Sequence, residues 1–402
     1  MIRLVALALL MLGGCATIPP RDHARAEVEV AFDRDRETGV TASGIADPAS
    51  GRLVTPDDPV RVASVSKLVV AIGVMRLVEA GTLALDRDVS ARLGWPLRNP
   101  AFPDRPVTLR MLLSHTASVR DQGDNYALPL DGSVRAAMAD PASWDPMHGP
   151  GDNYYSYSNM NFPIVASVME AATGERFDRL MKRLVLDPLR LDACYNWPSC
   201  SDATLARAVE LDGPDGEPLK DDLHGQRPAC PVSAPTHGPC DLARWRAGEN
   251  GAIFSPQGGL RISPRDLARV GRMLLRGGEL DGTRLLTPAS VDLLATPVWI
   301  YDGRNGDTDG GFACRYGLAV QTLATPHAGC GDDPGGDSVP RVGHAGEAYG
   351  LRSGLWIDRA RGTGIAYYVT GLADHPTPGS GGFFAAEEAA FRRALRLSQS
   401  RH

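Results

Sequence analysis

The order of strand-like and helix-like patterns along the chain predicts an α+β fold. Alternation punctuated by turn residues occurs near both ends, in residues 26–62 and in the late residues 354–371, while helical patterns dominate between them. We therefore expect 26–62 and about 340–402 to share one antiparallel sheet, and about 63–300 to form an inserted, mainly helical subdomain.

The first residues have the features of an export signal. Arg3 is a short positive region, and Leu4–Leu12 is apolar but too short to cross a membrane. The sequence Leu12-Gly13-Gly14-Cys15 resembles a bacterial lipoprotein cleavage box, which implies removal of residues 1–14 and lipidation of Cys15. An ordinary signal peptide with an incidental cysteine is the alternative.

The residues that follow the cleavage box predict where the protein is held. Residues 15–25 are predicted to be a tether, and 26–402 to be the folded domain. Because Ala16 follows the cysteine, the sorting pattern favours a lipid anchor in the outer membrane, on its periplasmic side. No later run reaches the ~18 apolar residues that a membrane-spanning helix needs.

The helices of the central region are predicted from their periodicity and end signals. Residues 64–80 form a helix that Gly81 ends, and 107–115 form a short one. Residues 160–185 carry an amphipathic pattern that is broken near Thr173-Gly174, which predicts one or two helices. Residues 263–278 start at an N-cap serine followed by proline.

The last elements are a hairpin and a helix. Residues 354–360 and 364–371 alternate as two strands of a hairpin do, and a helix follows at about 384–399. We expect this hairpin to pair with the strands of residues 26–62.

Two segments, 193–258 and 302–341, are rich in proline, glycine and cysteine and are predicted to be loops. An even number of cysteines outside the cytoplasm favours disulfides. Several pairings are open, and we favour the three that are local in sequence, because each would tie one of these loops. The pairs are Cys194–Cys200, Cys230–Cys240 and Cys314–Cys330.

Composition and missing motifs exclude several function classes. The net charge of −6 and the lack of a basic run give no support for nucleic-acid binding. His237 lies near Cys240, but no C-x-x-C or H-x-x-x-H spacing predicts a metal site. No nucleotide-binding glycine motif and no G-x-S-x-G are present, so we expect no cofactor and no α/β-hydrolase site.

Lysine is rare, and one lysine occupies an unusual position. Only three of the 42 basic residues are lysines, and Lys67 lies at the start of the apolar helix predicted for 64–80. Ser64 precedes it by three residues, which places both side chains on one face. Burial would lower the pKa of Lys67 and make its neutral amine available as a proton acceptor, which arginine cannot provide.

The Ser64/Lys67 pair taken alone has ordinary explanations. An S-x-x-K sequence is expected by chance in a chain of this length, and Lys67 would then extend to solvent from the first turn. Ser66 is a second hydroxyl nearby, but it is adjacent to Lys67 and points elsewhere on a helix.

Two further motifs support a catalytic role. Tyr157-Ser158-Asn159 lies in a polar segment before a helix, and His344-Ala345-Gly346 leads into the late strands. With S-x-x-K, these match the three-part layout of penicillin-recognising enzymes. Over about residues 30–395 the chain resembles the β-lactamase-related serine hydrolases, which include class C β-lactamases, D-Ala-D-Ala carboxypeptidases, D-aminopeptidases and family VIII esterases. The resemblance implies a β-lactamase/transpeptidase-like fold with an all-helical insertion.

The resemblance also implies residue roles. Ser64 would attack the carbonyl group, Lys67 would take its proton, and Tyr157 would act with Lys67 as acid and base. Asn159 would bind Lys67 or the substrate amide. The N–H groups of Ser64 and Glu347 would form the oxyanion hole. The catalytic residues would therefore be Ser64, Lys67 and Tyr157, and the substrate-binding residues Asn159, His344, Gly346 and Glu347.

Alternatives remain for two of these side chains. Tyr154 or Tyr155 would replace Tyr157 if the latter were a structural tyrosine, and His344 would be a hydrogen-bonded histidine of the sheet if it did not reach the substrate. His115, in the motif LLSHTAS, is assigned a structural role and no catalytic one.

The third motif departs from the family pattern, which has Lys-Thr-Gly. His344-Ala345-Gly346 lacks the ammonium and hydroxyl groups that bind a substrate carboxylate, and Glu347 adds a negative charge. We therefore predict that the pocket disfavours anionic acyl acceptors and favours neutral esters or amine-bearing peptides. The alternatives are a D-Ala-D-Ala carboxypeptidase or β-lactamase, and a catalytically silent lipoprotein that binds cell-wall peptides.

Overall fold

The structure is a computed structural model that describes residues 24–213, 217–231, 234–373 and 376–399. Its strands in chain order are β1 (Ala26–Asp33), β2 (Glu37–Asp47), β3 (Arg52–Leu53), β4 (Val60–Arg61), β5 (Cys194–Tyr195), β6 (Leu211–Asp212), β7 (Pro218–Lys220), β8 (Leu260–Ile262), β9 (Glu279–Leu280), β10 (Thr283–Arg284), β11 (Trp299–Ile300), β12 (Arg315–Tyr316), β13 (Gln321–Thr322), β14 (Val342–Ala348), β15 (Leu351–Asp358) and β16 (Thr363–Val369).

The helices are numbered in the same way. They are α1 (Val65–Glu79), α2 (Ser90–Leu93), α3 (Leu109–Leu113), α4 (Val134–Ala137), α5 (Asn161–Thr173), α6 (Phe177–Met181), α7 (Asp202–Ala206), α8 (Pro264–Leu275), α9 (Pro288–Ala295) and α10 (Ala385–Gln399). Two 3-10 turns, Pro141–Ser143 and Leu242–Arg244, and a π-helical turn, Lys182–Leu186, complete the helical elements.

The two ends of the chain share one antiparallel sheet, as the sequence predicts. In the described residues the sheet has nine strands in the order β11-β12-β13-β14-β15-β16-β1-β2-β3. The predicted hairpin is β15–β16, and β16 pairs with β1 along nearly its whole length. The mixture of this sheet with helices confirms the α+β class.

The sheet is covered on both faces, because side chains alternate along each strand. On β1, Ala31 belongs to the apolar cluster that includes Phe391 of α10, whereas Phe32 belongs to the main core. A Cβ atom on Gly271 of α8 would lie 2.3 Å from the Phe32 ring, so α8 packs closely against the face opposite α10.

The predicted subdomain boundaries need correction at two places. The three strands β11–β13 extend the main sheet, although 302–341 was expected to be loops and the sheet residues to begin near 340. Helix α8 lies within the segment predicted as the helical insertion, yet it packs on β1, β15 and β16. Two-residue strands are too short to show an alternating pattern, and helix periodicity does not reveal which surface a helix covers.

Helix α1 is a core helix, as its apolar sequence predicts. Nearly every residue from Val65 to Leu77 is buried. The break predicted near Thr173-Gly174 is also present, since Gly174 ends α5 in the left-handed conformation with φ 68°. Helix α8 begins at Ser263, whose side chain accepts a hydrogen bond from the N–H of Asp266.

The three predicted disulfides are all formed: Cys194–Cys200, Cys230–Cys240 and Cys314–Cys330. The described part of the chain holds no helix that is long and apolar enough to cross a membrane, and no cluster of metal-ligating side chains. The predicted signal peptide, Cys15 and most of the tether lie outside the described residues.

Candidate active site

Ser64 lies at the N-terminal end of α1, where a sharp turn leads in from β4. Ala63 adopts a left-handed conformation with φ 45°, which an alanine rarely does, and this turns the chain into the helix. Ser64 occupies the N-cap position, but its side chain makes no capping hydrogen bond. Its hydroxyl group is therefore available to other partners.

Lys67 is fully buried and its Nζ has three oxygen partners. The distances are 2.9 Å to Ser64 Oγ, 2.8 Å to Asn159 Oδ1 and 2.9 Å to the carbonyl oxygen of Gln257. Burial lowers the pKa of Lys67 to about 7, and the charge of Asp121 opposes this shift. The sequence predicts that the neutral form of Lys67 is accessible, and the buried environment of this lysine produces that form near neutral pH.

The hydrogen-bond partners define what a neutral Lys67 does. The carbonyl oxygens of Asn159 and Gln257 only accept, so they take the two N–H groups of a neutral amine. The lone pair is then directed at the third partner, Ser64 Oγ, which has a proton to give. This geometry is that of a base beside a nucleophile.

Tyr157 is the second polar neighbour of Ser64. Its hydroxyl group lies near the Ser64 side chain and interacts with it, and the residue as a whole is 37% exposed. Desolvation of the hydroxyl end, together with the charges of Asp121, Glu347 and Asp309, raises the pKa of Tyr157 well above its usual value. Tyr157 is therefore a neutral phenol that can donate a proton.

The neighbouring tyrosines occupy other places. Tyr154 stacks on His148 with ring centroids 3.5 Å apart, and Tyr155 is buried against Trp299 at 4.3 Å. Ser66 is also structural, because its hydroxyl donates to the carbonyl group of Ala63. Of the alternatives raised by the sequence, only Tyr157 contacts Ser64.

Asp121, which the sequence did not single out, holds the Tyr157-Ser158-Asn159 loop. Its carboxylate accepts hydrogen bonds from Ser158 Oγ at 2.8 Å and from the backbone N–H groups of Asn159 and Met160 at 2.9 and 3.0 Å. It also accepts from Asn159 Nδ2 at 3.0 Å, so Asn159 Oδ1 is turned towards Lys67. No short motif signals this role, because Asp121 lies 38 residues before Asn159.

His115 also contacts the Tyr157-Ser158-Asn159 loop. Its ring stacks on Tyr157 with centroids 4.3 Å apart, and its Nδ1 accepts from the N–H of Ser158 at 3.0 Å. Burial, together with Lys67 and His344, lowers the pKa of His115 well below its usual value, so the ring is neutral. The structural role assigned to His115 is thus a contact with the proposed catalytic tyrosine.

His344 corrects an expectation. Its Nδ1 donates to the carbonyl oxygen of Ala345 at 2.5 Å, which leaves Nε2 to accept from the Tyr316 hydroxyl group at 2.6 Å. Burial lowers the pKa of His344 to about 3, so it carries no charge near neutral pH. Both nitrogens are occupied, so His344 has the contacts of the hydrogen-bonded sheet histidine that the sequence left as the alternative to substrate binding.

Gly346 brings the third motif against Ser64. A Cβ atom at this position would lie 2.4 Å from the carbonyl oxygen of Val62 and 3.2 Å from Ser64 N. Only glycine lets β14 approach the start of α1 so closely. The backbone N–H of Ser64 therefore lies beside β14, where the predicted oxyanion hole would be.

The sequence predicts that Glu347 adds a negative charge to the site, but in the structure this charge is paired with a cation. It faces Arg352 across the β14–β15 pair and forms an ion pair with it at 2.7 Å. The Glu347 side chain is 65% exposed, whereas Arg352 is nearly buried. The negative charge expected beside Ser64 is thus compensated by a neighbour that the linear pattern does not reveal.

Comparisons with known proteins identify the relatives of this chain. The model of the family described as Beta-lactamase matches residues 16–390. Penicillin-binding protein 4 of Amycolatopsis lactamdurans is 30% identical over 263 residues, which are 64% of this chain and 61% of that protein. Esterase EstB of Burkholderia gladioli is 32% identical over 173 residues, 38% of this chain and 42% of the esterase. The chain thus spans about 40 to 60% of the length of these relatives.

Solved structures extend the likeness of fold. The D-amino acid amidase of Ochrobactrum anthropi in complex with D-phenylalanine has a TM-score of 0.66 at 18% identity, covering 94% of this chain and 95% of that one. The octameric penicillin-binding protein homologue of Pyrococcus abyssi also has a TM-score of 0.66 at 18% identity, over 93% of this chain and 74% of that one.

Proposed function

The chain belongs to the β-lactamase family of serine hydrolases, and from that premise we propose that it cleaves ester, amide or peptide bonds through an acyl-Ser64 intermediate. The observation that carries the proposal is the position of Lys67 Nζ, which lies 2.9 Å from Ser64 Oγ. The other two hydrogen-bond partners of Nζ are carbonyl oxygens. A catalytically silent binding protein would have no use for a buried lysine held in this way.

In the proposed acylation step, neutral Lys67 takes the proton of Ser64 as Oγ attacks the carbonyl carbon. The new bond is Oγ–C, and the negative charge on the substrate oxygen is placed at the backbone N–H groups of Ser64 and Glu347. Tyr157 then gives its proton to the departing alcohol or amine, and Lys67 returns a proton to Tyr157. Water hydrolyses the acyl ester and restores Ser64.

The substrate class follows from the third motif. Family members that have a lysine there hold a substrate carboxylate, but His344 is neutral and Glu347 is already paired with Arg352. We therefore propose that the acyl acceptor is a neutral alcohol or an amine-bearing group rather than an anionic one. D-Ala-D-Ala carboxypeptidase and β-lactamase activities are therefore the less favoured alternatives. Slow turnover of a chromogenic cephalosporin, together with fast cleavage of an ester, would support this order.

The test is covalent labelling of the soluble protein without residues 1–20. A fluorophosphonate should add once to the wild type, not at all to Ser64→Ala, and slowly to Lys67→Ala, as read by intact mass. If folded wild-type protein stays unlabelled, the binding-protein alternative replaces the hydrolase. If Ser64→Ala is labelled as fast as the wild type, another serine is the nucleophile.

We also propose that the protein is a lipoprotein of the cell envelope that faces the periplasm. Arg3, the apolar segment Leu4–Leu12 and the cleavage box ending at Cys15 support this location. Cys15→Ala should release the full-length protein from the membrane fraction and abolish its labelling by a palmitate analogue. Retention of both properties would refute lipidation at Cys15.

A further inference from the structure

Lys220 lies in a group of cations around the Tyr349 ring. Its ammonium group lies 5.6 Å from the centre of the Tyr349 ring, and the Arg61 guanidinium lies 5.3 Å from the same ring. Arg261 is next to Arg61, because these two residues are paired across β4 and β8 and so share a face of that sheet.

The described residues give this group fewer negative charges than positive ones. Asp221 lies 2.7 Å from Arg261 Nη2 and 3.6 Å from Arg61 Nε, and both arginines are at least nine-tenths buried. Lys220 has no ion pair within the described ranges. Burial and the two arginines lower the pKa of Lys220, and Asp221 only partly opposes them.

Hydrogen bonding in the same group is incomplete. Nε of Arg261 has no hydrogen-bond partner within the described residues, and Nε of Arg61 and Oδ2 of Asp221 face each other at 3.6 Å, beyond hydrogen-bond distance. Charged groups that are buried without full pairing are costly. An anion next to Lys220 would relieve the repulsion among the three cations.

This group borders the proposed active site. Arg61 Nη1 lies 3.3 Å from the carbonyl oxygen of Gly258, and the preceding carbonyl group, that of Gln257, binds Lys67. Tyr349 lies at the turn between β14 and β15, three residues after the Gly346 that touches Ser64. It is 41% exposed, and it is close enough to Tyr126 to help raise the pKa of that phenol.

The proposed hydrolase reaction assigns a negative charge bound here to one part of the substrate. The acyl acceptor proposed above is a neutral alcohol or an amine-bearing group, because His344 is uncharged and Glu347 is paired with Arg352. An anionic group of the substrate that binds beside Lys220 therefore belongs to the acyl part, which stays on Ser64.

We propose that Lys220, with Arg61 behind it, binds a carboxylate carried by the acyl portion of the substrate, while the Tyr349 ring packs against the acyl chain. The inference rests on the proposed hydrolase function and narrows it to acyl donors that bear a negative charge remote from the scissile bond. The cation that the third motif lacks is thus supplied by Lys220, from another segment of the chain.

The test uses two phosphonate probes of equal length. One is ethyl para-nitrophenyl hexylphosphonate, and the other carries a carboxylate in place of the terminal methyl group. With either probe Ser64 Oγ bonds to phosphorus, its proton goes to Lys67, and para-nitrophenolate leaves and is measured. The readout is the ratio of the two second-order rate constants, which does not depend on turnover.

We expect wild-type protein to react faster with the carboxylate probe, by on the order of fivefold. Lys220→Met should lower this ratio towards one, and Lys220→Arg should keep it above one. Lys182→Met is the matched control, because Lys182 is an exposed lysine paired with Asp187, and this variant should keep the wild-type ratio. Added salt should reduce the wild-type ratio, since an exposed charge contact is screened.

Each contrary outcome has its own meaning. Equal ratios in folded wild-type and Lys220→Met protein would overturn the carboxylate site and leave the hydrolase intact. A lowered ratio in Lys182→Met would show that net charge alone causes the preference, and it would also overturn the site. If neither probe reacts with folded wild-type protein, the hydrolase proposal fails and the carboxylate site fails with it.

Discussion

At the residue scale, the chemistry depends on one lysine that is kept from being charged. Lys67 is fully buried, which favours its neutral form, while the charge of Asp121 favours the protonated form. His115 and His344 are both neutral at this position, so neither adds a second positive charge beside it.

The first prediction concerns the pH dependence of acylation. Because the free amine is the base and the pKa of Lys67 is about 7, the rate of Ser64 labelling should rise with pH through about 7 and fall about tenfold per unit below it. Lys67→Arg should stay protonated and be slow at every pH. Stopped-flow labelling between pH 5 and 9 measures this, and a flat profile would contradict it.

The second prediction concerns Asp121 as a positioning residue. Asp121→Asn removes a negative charge near Lys67, so the pKa of Lys67 falls further and the acid limb of the profile moves to lower pH. It also disturbs the donors on Asn159, which should slow acylation by up to about 100-fold. The measurement is the pH profile of kcat/KM for a neutral ester.

Asp124→Asn is the control for Asp121→Asn. Asp124 is an exposed neighbour in the same segment, and its carboxylate accepts a hydrogen bond from the Tyr126 hydroxyl group, which is outside the Tyr157-Ser158-Asn159 loop. This control should leave the acid limb in place. An unmoved acid limb in Asp121→Asn would show that its carboxylate does not act on Lys67.

At the element scale, the site depends on how closely β14 approaches α1. The third prediction is that Gly346→Ala pushes these elements apart, because the added Cβ would lie 2.4 Å from the carbonyl oxygen of Val62. We expect a loss of about 1–3 kcal/mol in the free energy of unfolding. We also expect labelling of Ser64 to slow by more than about tenfold, since its N–H is displaced.

Gly343→Ala separates damage to the strand from damage to the site. Gly343 lies in β14, as Gly346 does. Its added Cβ would lie 1.8 Å from the carbonyl oxygen of Leu355 in β15, and not against Ser64. For a similar loss of thermal stability, Gly343→Ala should retain more labelling than Gly346→Ala. Equal loss of labelling in both would mean that strand stability alone explains the effect.

At the scale of the whole molecule, one disulfide joins the segment before the main sheet strand β12 to the loop that follows β13. Cys314 precedes Arg315–Tyr316 of β12, and Tyr316 holds His344. The fourth prediction is that replacing both Cys314 and Cys330 by serine lowers the free energy of unfolding by about 3 kcal/mol, given their separation of 16 residues. Denaturant unfolding measures this.

The same pair of replacements should also slow Ser64 labelling, because β12 carries Tyr316 towards the site. Replacing Cys230 and Cys240, which close a loop of separation 10, should leave labelling largely unchanged. If all six cysteines alkylate in the native protein without reductant, the three disulfides are absent and this prediction fails.

The sequence by itself determined the features that depend on local spacing and on strong patterns. An i, i+3 spacing on an apolar helix indicated the Ser64/Lys67 pair and the lowered pKa of that lysine, and the two later motifs supported its catalytic interpretation. The glycine at 174 fixed the break between α5 and α6, and the loop positions of the six cysteines favoured the pairing that is found. These features arise from contacts within a few residues, so the linear pattern contains them.

Only the tertiary structure decided the partners that come from distant segments. Asp121 reaches Asn159 across 38 residues and Arg352 neutralises Glu347 across a strand pair, and no pattern in either segment encodes the other. His344 is neutral because burial and the nearby charge of Lys67 lower its pKa, and Tyr316 from β12 occupies its second nitrogen. Burial and long-range pairing set charge and protonation in this site, and both follow from packing that a linear pattern does not specify.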